Sequence, residues 1–224
     1  MFFKKFVNSK FYYILDQIVR VIWLNLITLF FIVAGLVLFS FGPAILSGVY
    51  VVKLMINKYE GPILPVYFKA FKRFYKKGIL ISLIYLVFLF LLSFNIYYYI
   101  FKMEDAFLWF DFISFIITIL VLIISFPALF HSLLIYSCYE DNSLKSILID
   151  GFKLSVAFIL RGIIFIIMTF MILYLSLLIP IILIIISVFL LLLAIELVLF
   201  KGYDKVELFK NQGIKKAEEL SSQV

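Results

Sequence analysis

Residues 42–79 read GPAILSGVYVVKLMINKYEGPILPVYFKAFKRFYKKGI, and residues 127–163 read PALFHSLLIYSCYEDNSLKSILIDGFKLSVAFILRGI. An ungapped shift of 84 places one on the other. Pro43-Ala44 falls on Pro127-Ala128, Ile63-Leu64 on Ile147-Leu148 and Phe68-Lys69 on Phe152-Lys153. Phe74 then falls on Phe158, and Gly78-Ile79 on Gly162-Ile163. These are nine identities over 37 positions, where roughly three would arise by chance in so apolar a chain. Each copy reads as an apolar segment, a polar break, an amphipathic stretch and the start of a further apolar segment. The pattern predicts an internal, parallel duplication at an 84-residue offset.

Working outward from it, composition sets the class. Of 224 residues, 66% are hydrophobic and 15% charged, at a mean hydropathy of +1.21. Uncharged apolar runs of 18 residues or more read as membrane spans. The expectation is an all-α integral membrane protein with six transmembrane helices, at about 18–41, 43–57, 78–101, 107–138, 161–179 and 181–200. A cytoplasmic tail, 201–224, follows the polytopic domain of residues 1–200. The first span follows a short basic segment, but it is too long for a signal-peptide h-region and ends in no small-residue cleavage site.

Gly42-Pro43 is read as the stop of the first span, since Pro lacks an amide and Gly permits a reversal. The second span is short, yet the charges require it to return. Lys4, Lys5 and Lys10 precede the first span, and Lys53 to Lys77 follow the second, so only a hairpin puts both groups inside. On this model 19 of the 20 Lys and Arg residues face the cytoplasm or its interface, Lys102 being the exception. Both termini are then cytoplasmic.

Two stretches are amphipathic at helical spacing. Over 64–77, Tyr67, Phe68, Phe71, Phe74 and Tyr75 gather on one face, and Lys69, Lys72, Arg73, Lys76 and Lys77 on the other. Aromatics segregated from cations suit a helix on anionic inner-leaflet lipid better than nucleic acid. Residues 143–157 repeat the theme more weakly, with Ser143 as N-cap. Both are expected to be cytoplasmic interfacial helices.

Few polar residues interrupt the spans. Asn25 reads as an interhelical hydrogen-bond group or as a substrate contact. Pro127 reads as a kink. His131 reads as a structural, hydrogen-bonded residue or as a proton relay. Glu196 lies level with Arg161 in the six-span model, which predicts a structural ion pair, with a coupling-ion site as the alternative. Asp16 and Arg20 are spaced to pair on one helix face. One cysteine, Cys138, and one histidine exclude an intramolecular disulfide and a thiolate or His-rich metal cage. There is no phosphate-cradling Gly loop, nucleophile elbow, HExxH or CxxC. The expectation is a non-catalytic protein without a cofactor.

Asp16-x-x-x-Arg20, Leu24-Asn25-Leu26 and Phe41-Gly42-Pro43-Ala44 resemble the N-terminal signature of the YesL-like family (domain of unknown function family 624). Phe68-Lys69 and Phe71-Lys72-Arg73 resemble the segment that follows in that family. The likeness covers most of the chain in layout and is specific over roughly the first 80 residues. Its members are small integral membrane proteins, mostly of Gram-positive bacteria, with no assigned function and often associated with carbohydrate uptake. The resemblance therefore implies a membrane partner such as a sugar transporter. It carries over no catalytic residues. The readings left open are an accessory or scaffold subunit and a small transporter or channel.

Overall fold

The computed structural model describes residues 10–102, 108–205, 215, 218–219 and 221–222. The turn expected at 102–105, between the spans at 78–101 and 107–138, lies outside them after Lys102, as do the basic residues Lys4 and Lys5. Among the described residues every regular element is helical. The helices are α1 (Lys10–Ala34), α2 (Phe41–Ile56), α3 (Ile63–Lys102), α4 (Trp109–Cys138), α5 (Leu144–Ala157), α6 (Ile159–Leu178) and α7 (Pro180–Leu199). A short 3-10 helix, Phe200–Lys205, closes the bundle. Helices α4 to α7 fall close to their expected bounds. Ser143 caps α5, its hydroxyl accepting from the Ser146 amide at 3.3 Å. Pro180 occupies the first turn of α7, where its missing amide costs nothing.

The first reversal differs from the sequence reading. Helix α1 ends at Ala34, and residues 35–40 make the turn. Leu36 (φ 52°) and Val37 (φ 63°) adopt left-handed backbone there, a conformation unusual for side chains of this bulk. The Ser40 hydroxyl donates to the Phe31 carbonyl and ties the turn back to α1. Gly42-Pro43 does not stop α1; it lies in the first turn of α2, where proline is well tolerated.

The second difference is α3. It runs unbroken for 40 residues, about 60 Å at ~1.5 Å per residue. Residues 64–77 are therefore its first turns and not a separate interfacial helix. That segment runs antiparallel to α2: only residues 57–62 separate the two helices, and Gly42 at the start of α2 meets Gly78. Between them the Tyr50 and Phe74 rings stack at 5.5 Å, and the Tyr67 hydroxyl donates to the Ala44 carbonyl at 3.3 Å. Tyr67 and Phe74 are fully buried, while Phe68 and Tyr75 remain exposed. An aromatic stripe at helical spacing packs on an apolar helix as readily as on lipid, and here Tyr50 of α2 takes Phe74 while Phe31 of α1 meets the rings of Tyr67 and Phe71.

Among the described residues five helices are long and apolar enough to cross a membrane: α1 over Ile14–Ala34, α3, α4, α6 and α7. The remaining expected span, the second, is α2, a 16-residue helix with 13 of its residues buried. It is the central element of the core. Helix α3 covers one side of it, and Leu192 of α7 fills the space left by Gly48. The second half of α3, beyond Tyr85, and the start of α4 expose apolar side chains almost throughout, as does α6. So wide an apolar exterior is stable in hydrocarbon and not in water. Lys102 closes the α3–α4 hairpin on Asp111 at 2.8 Å.

Two close helix approaches recur 84 residues apart. A Cβ added at Gly78 would stand 3.4 Å from Pro43, and one added at Gly162 would stand 3.0 Å from Pro127. The two regions differ beyond those points. Where α3 continues without a break, the corresponding helix divides at Phe158 into α5 and α6.

Candidate functional site

The polar residues of the interior gather where α1, α2 and α4 meet α7. Lys53 lies within the apolar run Val51-Val52-Lys53-Leu54 near the end of α2. Its ammonium stands 3.1 Å from a Glu196 carboxylate oxygen, and the two side chains are 6% and 8% exposed. The same nitrogen lies 3.8 Å above the centre of the Phe200 ring, a second source of charge stabilisation in a dry site. Glu196 is therefore paired with Lys53, not with Arg161, whose guanidinium lies over the Phe158 ring at 5.5 Å. The sequence reading placed Lys53 among the inner-surface cations and missed this pair. Its signal was the unbroken apolar flank on both sides of the lysine.

Glu196 belongs to a π-helical stretch, Ile195–Leu199, and a second such stretch, Leu183–Ser187, lies earlier in α7. A π turn displaces the regular amide-to-carbonyl ladder, so some backbone groups need outside partners. Asn25 supplies them. Its side-chain amide donates to the carbonyls of Leu183 (3.2 Å) and Ile184 (2.6 Å), and its oxygen accepts from the Phe189 amide at 3.0 Å. Asn25 is fully buried. This is an interhelical hydrogen-bond role, and it accounts for the residue without a substrate. Asn25→Ala is expected to lower stability by about 1–3 kcal/mol, the cost of leaving buried polar groups unmet. Unfolding in detergent would measure it; a variant as stable as the parent would contradict the role.

His131 of α4 is buried, and its Nδ1 lies 2.5 Å from the Tyr203 hydroxyl. Tyr203 packs on Phe200 at 5.8 Å between ring centres, so His131 and the Lys53–Glu196 pair share one aromatic wall. The sequence reading began the cytoplasmic tail at residue 201. The structure instead folds Tyr203, 1% exposed, into the core.

Just past the same end of α2, Asp16 and Arg20 pair as expected, at 2.7 Å. Arg20 also donates to the carbonyls of Tyr59, Glu60 and Gly61 at 3.0, 2.7 and 3.2 Å. The guanidinium thus holds the α2–α3 loop to α1. Of the five cations on the 64–77 segment, two clamp the α4–α5 turn. Arg73 bonds Glu140 and Glu219, each at 2.9 Å, and Lys77 donates to the carbonyls of Glu140 and Asn142. Lys69 is half-buried, and Lys72 and Lys76 are exposed. Pro127 sits inside α4, and Gly42 and Pro43 sit at the α2–α3 contact. Among the described residues no group of three His, Cys, Asp or Glu side chains is placed to hold a metal.

Among the described residues this arrangement defines an all-helical protein, its apolar core joined by buried polar contacts and its exterior broadly apolar, suited to multiple passes through a membrane. Residues 21–96 match the model of a family described as "Protein of unknown function, DUF624". That stretch contains Leu24-Asn25-Leu26, Phe41-Gly42-Pro43-Ala44 and the Phe68 to Arg73 segment, on which the YesL-like resemblance rests together with Asp16 and Arg20, which precede it. No curated protein and no solved structure matches the chain.

Proposed function

We propose that the protein is a non-catalytic, multi-pass protein of the cell membrane that packs against another membrane protein as an accessory or scaffold subunit. The observation that carries this reading is how the interior polar side chains are engaged. Arg20, Asn25, Lys53, Glu196, Arg73 and Lys77 each join one helix or loop to another. That leaves the apolar exterior of α3, α4 and α6 as the surface on which a partner or lipid acts. Lys72 and Lys76 would face the anionic inner leaflet, with both termini in the cytoplasm. A carbohydrate uptake system is the partner class that the family resemblance supports; nucleic acid is not one. The repeated Pro–Gly approaches support the parallel duplication. Covalent cross-linking in native membranes, followed by purification in mild detergent, tests the accessory reading. One defined membrane protein should be recovered in fixed ratio, and recovery of this chain alone would count against it.

A second reading, a small transporter or channel, draws on the buried ionisable residues. The Nε2 atom of His131 has no hydrogen-bond partner among the described residues. Glu196, the partner of Lys53, lies in a helix that carries two π stretches, features that recur at functional sites.

Sidedness follows from the same reading. Cys138, half-buried at the end of α4, should react with a membrane-impermeant thiol reagent in inverted vesicles and not in intact cells. Labelling from the outside alone would reverse the proposed orientation.

A further inference from the structure

Helices α3 and α5 lie side by side across the face of α4 and leave an open groove of about 350 Å³ between them. Its floor is Tyr85, 6% exposed. The hydroxyl of that tyrosine shares a hydrogen bond with Ser132 at 3.0 Å and donates to the Leu148 carbonyl at 3.3 Å. With its polar tip engaged, Tyr85 offers the groove only its ring. Gly151 brings α5 against Ser132 so closely that a Cβ there would stand 1.9 Å from the serine oxygen. The walls are Ile84 and Phe88 from α3, and Ile149 and Phe152 from α5. All four are partly exposed although nothing polar requires it.

The one charged side chain lining the groove is Lys153, 72% exposed. Its contact with Asp150 is 3.4 Å, and that carboxylate also accepts from the Ser146 hydroxyl at 3.0 Å. A pair so exposed and so divided neutralises little of the lysine. The groove thus asks for a long apolar body and a single negative charge. An extended peptide would bring backbone amides and carbonyls that these walls cannot answer, and an apolar helix, its own backbone satisfied, would leave the lysine without a counter-charge.

From this we infer that the α3–α5 groove is a binding site for one anionic phospholipid. An acyl chain lies along Ile84, Phe88, Ile149 and Phe152, and the phosphate meets the snorkelling ammonium of Lys153. The groove's size is within the ~300–1,000 Å³ usual for small-ligand sites. The site is separate from the cationic segment at the start of α3, and it rests on the membrane reading given above.

The test uses the full chain, purified in detergent, stripped of lipid and titrated with phosphatidylglycerol or phosphatidylcholine of identical chains. Bound lipid is counted by native mass spectrometry. The wild type should retain one phosphatidylglycerol about fivefold more tightly than phosphatidylcholine, the preference that one lysine near the membrane surface supplies. Lys153→Gln should erase that preference and leave phosphatidylcholine retention unchanged. Ile149→Trp, a change on an exposed wall, should lower retention of both lipids. Equal retention of the two lipids by the wild type would overturn the site, as would an unaltered preference in Lys153→Gln. A dimer displaced by neither lipid would assign the groove to a second copy and also overturn it. A chain that stays soluble without detergent would remove the membrane reading itself, and the site with it.

Discussion

Lys53→Ala or Glu196→Ala, made singly, should destabilise the protein by about 3–5 kcal/mol, because each leaves the other charge buried without its partner. The pair has the features that make truncation costly. Both side chains are less than a tenth exposed, the contact is 3.1 Å, and the lysine is held over the Phe200 ring. The partners come from α2 and α7, so the loss should also loosen the helix on which the core is built. Lys53→Met combined with Glu196→Leu should recover most of the deficit, since buried ion pairs are often replaceable by well-packed apolar residues. Thermal or denaturant unfolding in detergent measures all three. Additive costs in the double variant would mean that the two residues stabilise the fold independently, contrary to the observed contact.

The second large effect is expected at Gly42. A methyl there would stand 2.2 Å from the backbone carbonyl oxygen of Gly78. Backbone cannot swing aside as a side chain can, so α2 and α3 must separate. Gly42→Ala should therefore cost about 1–3 kcal/mol or somewhat more, in the range of overpacked cores. Gly48→Ala is the matched comparison. Its methyl would meet only the end of the Leu192 side chain, at 2.5 Å, and a rotamer change can relieve that contact. Gly42→Ala should thus unfold well before Gly48→Ala. Equal losses would show that the α2–α3 approach is softer than the structure implies.

The sequence made the later helices plain because their ends are written in ordinary chemistry. Ser143 caps α5, Pro180 opens α7, and both act as their residue types predict. The first reversal was not legible for the opposite reason. It is built from Leu36 and Val37 in left-handed backbone, while the nearby Gly42-Pro43 looks like a better turn. Helix α3 was divided in the reading because the charges of 64–77 stop at Gly78. Backbone continuity leaves no mark in composition, and the antiparallel partner that takes Tyr67 and Phe74 is chosen by packing alone. Asp16 with Arg20 could be read because the two sit four apart on one helix. Lys53 with Glu196 and His131 with Tyr203 join positions far apart in the chain, and periodicity cannot choose between partners at that range. Asn25 was singled out correctly as a buried polar residue. Its purpose depends on a π stretch in α7 for which the sequence holds no signal.

Whether the Lys53–Glu196 pair holds helices together or carries an ion is the question on which the accessory reading turns. The direct measurement is flux of protons, cations or sugar across vesicles reconstituted with wild type and with Glu196→Gln, each checked for folding. No flux above protein-free vesicles is expected for either protein. A flux in the wild type that a folded Glu196→Gln abolishes would contradict it and make the pair a transport site.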